Sequence, residues 1–127
     1  MGERLFRKLE TGHAVAFASA DAESWGFPRP VTPIELSEAD WFRMGESVVF
    51  WFEHYPISST WFVHLAVEPS ARGKWGVRRW LRWIEQYAHD QGASEIGFVR
   101  CEGAEASEGY LRRLGWEDTS FGLARAV

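Results

Sequence analysis

The sequence predicts a mixed α/β (α+β) domain, with an antiparallel sheet in its N-terminal half and a βαβαβ unit in its C-terminal half. Three observations carry this. Two apolar, β-rich runs, Ser47–His54 and Thr60–Val67, are joined by the short stretch Tyr55–Ser59, a spacing that favours an antiparallel hairpin. From Val77 onward, apolar residues recur at 77, 80, 81, 84 and 88, the period of an amphipathic helix. A further apolar run, Glu95–Cys101, follows that helix, and a strand–helix–strand crossover implies parallel pairing with Thr60–Val67.

Taken in order, Glu3–Leu9 reads as a short helix with Leu5, Phe6 and Leu9 on one side, ended by Thr11-Gly12. His13–Ala18 reads as a short strand. Ser19–Pro33 reads as loop, because Gly26, Pro28, Pro30 and Pro33 break regular structure; Trp25 and Phe27 are positioned to pin it. Ser37 with Asp40 three residues on resembles a helix start and predicts one turn through Phe42. Ser47–His54 is almost continuously apolar, the mark of a strand covered on both faces. Glu68-Pro69-Ser70 ends the next strand, and Gln91-Gly92 ends the long helix. Ala104–Leu114 reads as a second helix, with Ala106, Tyr110, Leu111 and Leu114 inward and Glu108–Arg112 as an i,i+4 pair. Gly115 is its stop. Trp116–Val127 supplies a last strand, or two joined near Gly122.

A chain of 127 residues is one domain with room for a substantial core. The net charge of −4 gives no global argument for nucleic acid or membrane binding. No apolar run approaches the roughly 20 residues that span a bilayer, the N-terminal stretch lacks a signal-peptide apolar core, and Phe6 stands where a myristoylation signal needs Ser or Thr. The single Cys101 excludes an internal disulfide and a cysteine metal cluster within one chain. No metal site is expected, and a reducing, cytoplasmic setting fits. Eight tryptophans either support a small core through the large area each buries, or exceed what such a core hides and leave some for a partner surface, an oligomer contact or a ligand.

The stretch that organises the rest is the strand Thr60–Val67, the turn Ala71-Arg72-Gly73-Lys74-Trp75-Gly76 and the helix from Val77. Unpaired amides at such a turn point along the helix dipole and suit an anion, phosphate above all; an ordinary strand-to-helix connection is the alternative. Strand, then Val-x-Pro-x-x-Arg-Gly-Lys (Val67–Lys74), then helix, strand and a helix ending Leu111-Arg112-Arg113-Leu114-Gly115-Trp116 resembles the GCN5-related N-acetyltransferase (GNAT) superfamily. The resemblance covers roughly residues 46–120 and is most specific over 65–81 and 104–118.

The resemblance implies acetyl-CoA as co-substrate, bound in a cleft between the strands at Ser47–His54/Thr60–Val67 and Glu95–Cys101. Leu65, Ala66 and Val67 match the strand that pairs with the pantetheine arm. Arg72, Gly73 and Lys74 match the first positions of the diphosphate turn, which continues through Trp75, Gly76, Val77 and Arg78. Two departures stand out. Trp75 occupies the place of a family glycine, where a Cβ crowds the phosphates, and Val77 that of Gly or Ala. The family's tyrosine acid lies four residues before the glycine of Tyr-x-x-Leu-Gly-Phe; here that position is Leu111, and Tyr110 is one residue off, about 100° around the helix. Tyr110 is therefore directed into the core unless it serves as the acid.

For the general base, Glu53, His54 and His64 are the candidates. By strict alternation His64 faces away from Val63, Leu65 and Val67, unless a β-bulge restores it. Arg78, Arg79 and Arg82 are either a solvated face or ligands for the adenosine 3′-phosphate of CoA or an acidic partner.

Two functions are therefore expected. The first is transfer of an acetyl group from acetyl-CoA to a small-molecule or protein amine. The second is a fold relative without the chemistry, serving as a structural or interaction protein. The Arg-Gly-Lys-Trp variant looks like that of compact bacteriophage-encoded relatives, some resembling virion components.

Overall fold

The computed structural model describes residues 5–25, 31–33, 36, 39–54, 59–99 and 105–127. Over these the chain forms β1 (Phe6–Lys8), α1 (Thr11–Ala20), β2 (Asp40–Met44), β3 (Val48–His54), β4 (Thr60–Val67), α2 (Val77–Asp90), β5 (Glu95–Val99), α3 (Glu105–Arg113), β6 (Glu117–Asp118) and β7 (Gly122–Ala126), with a 3-10 turn at Pro69–Ala71. The strands make one mixed sheet in the order β1-β2-β3-β4-β5-β7-β6. β4 and β5 run parallel, as the crossover requires, while β7 runs antiparallel to both β5 and β6. β6 is thus parallel to β5, so the βαβαβ direction holds with β7 inserted in the middle. The chain divides into two compact bodies, Met1–Glu53 with His64–Val77 and His54–Val63 with Arg78–Val127.

In the first body, the β2–β3 register sets Trp41 opposite Trp51 and Phe42 opposite Phe50. Trp41 and Trp51 stack at 4.0 Å and Phe42 and Phe50 at 5.5 Å. Alternation sends the two rows to opposite faces. Ala14 and Phe17 of α1, with Ala22 and Ala66, close the tryptophan face into a buried cluster. Val48 to Phe52 are at most 3% exposed, so β3 is covered on both faces as its composition predicts.

Four N-terminal expectations are overturned here. Phe6–Lys8 is a strand rather than part of a helix, because it finds a ladder: Phe6, Arg7 and Lys8 pair with Met44, Arg43 and Phe42. His13–Ala18 lies inside a helix that begins at Thr11, so Gly12 belongs to its first turn instead of ending a preceding one. Ala14, Ala16 and Ala18 favour helix, and Ala14 and Phe17, three residues apart, share its buried face. The loop expected from Ser19 accordingly starts only after Ala20. Asp40–Met44 is a strand where a helical turn was expected; Trp41 and Phe42 find cross-strand aromatic partners there, worth more than a weak cap. Ser37, Phe27 and Cys101 lie outside the described residues.

In the second body, α2 buries Trp80, Leu81, Ile84 and Ala88, matching its apolar period. Trp80 lies 5.7 Å from Phe98, itself 5.1 Å from Trp116. Both predicted glycine stops are present: Gly92 and Gly115 take φ of 93° and 100°. The amides of Gly92 and Ala93 close on the carbonyls of His89 and Ala88, and those of Gly115 and Trp116 on Arg112 and Leu111, the Schellman pattern. Arg112 meets Glu108 at 3.3 Å as expected but binds Asp118 more closely, at 2.7 Å; hydrogen bonding to Asp118 raises its already high pKa. The C-terminal run resolves into two strands, with the Thr119 hydroxyl accepting from the amides of Phe121 and Gly122 in the turn between them.

The tryptophans are spent mostly inside. Trp41, Trp51, Trp80 and Trp116 are at most 3% exposed, and Trp25, Trp61, Trp75 and Trp83 are half-buried; the expected exposed tryptophan surface is not found. Among the described residues no helix is long and apolar enough to cross a membrane.

Gly97 on β5 has a specific packing reason. A Cβ there would meet Phe121 Cε2 at 2.7 Å and Phe62 Cδ1 at 3.2 Å, and those two rings form an edge-to-face pair at 4.9 Å. Gly97→Ala is expected to cost about 1–3 kcal/mol, read from urea unfolding. Combined with Phe121→Ala it should cost less than the sum of the single changes by at least about 0.5 kcal/mol; strict additivity would show that Phe121 is not the obstacle.

Candidate functional site

β4 leads into the site. Its last residues, Leu65, Ala66 and Val67, are half-buried or buried. The Glu68 amide then donates to the Ser47 carbonyl at 2.8 Å, and the Ser47 hydroxyl donates to the Glu68 carboxylate at 3.2 Å. The end of β4 is thereby tied beside the start of β3, and the two strands run in opposite directions. Pro69 cannot continue the ladder, and a 3-10 turn follows.

Gly73 takes φ of 78°, a left-handed conformation that favours glycine, with nothing within 4 Å of where a Cβ would stand. The Lys74 amide returns to the Ala71 carbonyl and the Val77 amide to Trp75. Among the described residues, the amides of Gly73 and Gly76 donate to no protein acceptor. Arg72, Gly73, Lys74 and Gly76 are exposed; Trp75 and Val77 are half-buried. The turn is thus an open, left-handed bend with amides to spare, the arrangement that suits an anion.

The Arg72 side chain is turned back onto the protein. Its Nη2 donates to the Trp25 carbonyl at 3.0 Å. Trp25 packs edge-on against Phe17 at 5.2 Å and has the Arg43 guanidinium 5.9 Å from its ring. Trp25 does pin its segment, as its position suggested, and Arg72 is the link to the turn, a role that no local sequence pattern signals.

Glu53 and His64 meet. His64 Nε2 lies 2.8 Å from Glu53 Oε2, with side chains 14% and 30% exposed. An ionised carboxylate only accepts, so Nε2 carries the hydrogen and the basic lone pair of the neutral ring sits on Nδ1. The imidazole also stacks on Trp51, 5.2 Å away with planes 22° apart. His64 shares the face of Ala66, Trp51 and α1, so alternation holds. Glu53, two residues past Trp51, shares that face. Trp51 as the imidazole's platform has no sequence signal beyond its i,i+2 spacing to Glu53. The side chain of His54 lies outside the described set.

In the second body, Tyr110 is half-buried, with the Arg113 guanidinium 5.9 Å from its ring. The helix instead buries Leu111, so Tyr110 is not the core residue expected of its position. Arg78, Arg79 and Arg82 are exposed. Among the described residues no group of three His, Cys, Asp or Glu side chains is placed to hold a metal ion.

No protein-family profile and no curated protein matches the sequence. Solved structures do match. The ribosomal-protein-S18-alanine N-acetyltransferase of Escherichia coli aligns over 96% of this chain and 92% of its own, with a TM-score of 0.72 at 13% identity. The GNAT superfamily phosphinothricin acetyltransferase of Sinorhizobium meliloti, in complex with AcCoA, aligns over 96% and 87%, with a TM-score of 0.69 at 14% identity. The N-acetylglutamate synthase of Neisseria gonorrhoeae, complexed with coenzyme A and L-arginine, gives a TM-score of 0.69 at 16% identity, and this chain spans 32% of its length. The chain therefore has the fold of the GNAT acetyltransferases.

Because the space above Gly73 is open, its substitution should act through backbone conformation alone. Gly73→Val is expected to lose about 1–3 kcal/mol of unfolding free energy. Gly73→Asn should lose clearly less, since Asn tolerates the left-handed region; equal losses would point to a steric cause instead.

Proposed function

We propose that the protein is an acyl-CoA-dependent N-acetyltransferase that transfers the acetyl group of acetyl-CoA to a primary amine by direct attack. The observation that carries this is the left-handed turn directly after β4, with the uncommitted amides of Gly73 and Gly76, in a fold shared with proteins solved with CoA or AcCoA. In this reading the backbone of residues 72–77 holds the diphosphate, and the main chain of Leu65, Ala66 and Val67 lines the pantetheine arm. An amide of that strand polarises the thioester carbonyl.

The amine must be neutral to attack. His64 accepts its proton at Nδ1, while Glu53 fixes the tautomer and stabilises the imidazolium that forms. The nitrogen–carbonyl bond forms, the carbon–sulfur bond breaks, and the thiolate leaves with the electron pair. The thiolate takes up, through water, the proton that the new amide nitrogen sheds. The acceptor is a small molecule or a protein amine, and a cytoplasmic setting, in which Cys101 stays reduced, fits.

A second reading is favoured by two observations: Trp75 stands at a family glycine position, and the Arg72 side chain is committed to Trp25. On that reading the fold is kept as a structural or interaction module, such as a bacteriophage virion component, without turnover.

Calorimetric titration separates the two. Acetyl-CoA is expected to bind at micromolar concentration, about −8 kcal/mol, and Gly73→Val should weaken it by about tenfold or more. With a primary-amine panel and a thiol-release assay, His64→Ala should lower kcat/KM by about 10²–10⁴-fold while acetyl-CoA affinity stays near the unsubstituted value. No heat at millimolar acetyl-CoA would sink the transferase reading.

A further inference from the structure

The Glu53–His64 pair lies toward the end of the tryptophan face that is farther from the turn, with side chains 30% and 14% exposed. Asp40 is the cross-strand partner of Phe52, so Ala39, the residue before β2, stands beside Glu53 where that register continues. Ala39 is half-buried and packs on the tryptophan cluster, as do Val31 and Leu36. The face that carries the pair thus keeps aliphatic side chains with open surface, one of them at the pair itself.

The described arginines and lysines of this body stand elsewhere. Arg43 is opposite Val49, four residues and about 13 Å before Glu53 along β3. It and Arg72 converge on Trp25, one 5.9 Å from its ring and one at its carbonyl. Arg7, across the ladder from Arg43, is held by Glu46 at 3.0 Å. Lys8 pairs with Phe42 and meets Asp40 at 3.1 Å, on the opposite face. Lys74 lies in the exposed turn. The sign of the charge at the pair is therefore set by Glu53.

That arrangement selects among acceptors. A free primary amine is an ammonium near neutral pH, which the Glu53 carboxylate attracts before the proton passes to His64. An acceptor with a carboxylate of its own would bring a like charge beside Glu53, and would give up water there with no cation to replace it. An uncharged chain meets no such penalty and gains by covering the open aliphatic surface. We infer, resting on the transferase reading, that the acceptor is a primary amine on an uncharged aliphatic chain, and that Glu53 is the residue that rejects anionic acceptors.

The test compares propylamine, butylamine and pentylamine with δ-aminovalerate, an aliphatic amine whose chain ends in a carboxylate. Binding is read without acetyl-CoA, from the NMR signals of the His64 ring, identified by their loss in His64→Gln; turnover is read by thiol release. Affinity is expected to rise about two- to fourfold per methylene. Pentylamine should exceed δ-aminovalerate by about tenfold or more, in affinity and in kcat/KM. Glu53→Gln, with folding checked by circular dichroism, should shrink that ratio to about threefold or less, a change that a merely structural Glu53 would not produce. Failure of pentylamine to bind, equal use of δ-aminovalerate, no dependence on chain length, or an unchanged ratio in Glu53→Gln would each overturn the inference while acetyl-CoA binding still stands. Amine binding in the expected order without acetyl-CoA binding would instead remove the transferase reading and keep the amine preference.

Discussion

The row of rings formed by Trp41, Trp51 and His64 is the interaction on which the candidate site depends. Trp41 and Trp51 are direct cross-strand partners stacked at 4.0 Å, and Trp51 is fully buried. The imidazole on β4 continues the row at 5.2 Å. Each such aromatic contact is worth about 0.5–1.5 kcal/mol beyond its buried area, but its larger effect is on register. A one-residue slip of β4 would turn His64 to the phenylalanine face and set Leu65 against Trp51. Glu53 reaches His64 only because it lies two residues after Trp51 on the same face. The packing of the core and the existence of the His64–Glu53 pair are one constraint.

The turn after β4 obeys a different logic, because it is local. Pro69 ends the ladder, Gly73 supplies the left-handed bend, and Val77 starts the helix. The turn is open: Arg72, Gly73, Lys74 and Gly76 are all exposed. The Arg72 side chain faces Trp25, so an anion here would be held by main-chain amides and by Lys74, whose ammonium has no ion-pair partner among the described residues. Anchoring the turn through Trp25, whose ring packs on Phe17 of α1, holds those amides in place without occupying them.

This difference explains what the sequence discloses. β3, β4, α2, β5, α3 and both glycine stops are legible because their period or turn chemistry is local and strong. Residues 6–20 and 40–44 are not legible because their structure is decided by partners far along the chain. Phe6–Lys8 becomes a strand only when Met44, Arg43 and Phe42 lie beside it. His13–Ala18 alternates in size like a strand, yet its alanines and the Ala14–Phe17 spacing make it a helix packed under the tryptophans. In the site, the turn could be read directly, whereas the meeting of Glu53 and His64, the stack on Trp51 and the Arg72–Trp25 link depend on register or tertiary packing.

The tautomer of His64 ties the two parts together. With Nε2 donating to Glu53, the basic atom is Nδ1, which is bonded to Cγ and so lies close to the β4 main chain. A substrate amine that delivers its proton to Nδ1 must approach that main chain rather than the outer edge of the ring. The residues that follow on the same strand, Leu65, Ala66 and Val67, are the ones whose backbone is proposed to line the donor and polarise its carbonyl. In the proposed transfer, the base and the amide that polarises the carbonyl belong to consecutive residues of one strand within one body. Their separation is governed by the strand's rise of about 3.3 Å per residue instead of by any long side chain, and the ring stack that fixes the register of β4 fixes that separation as well.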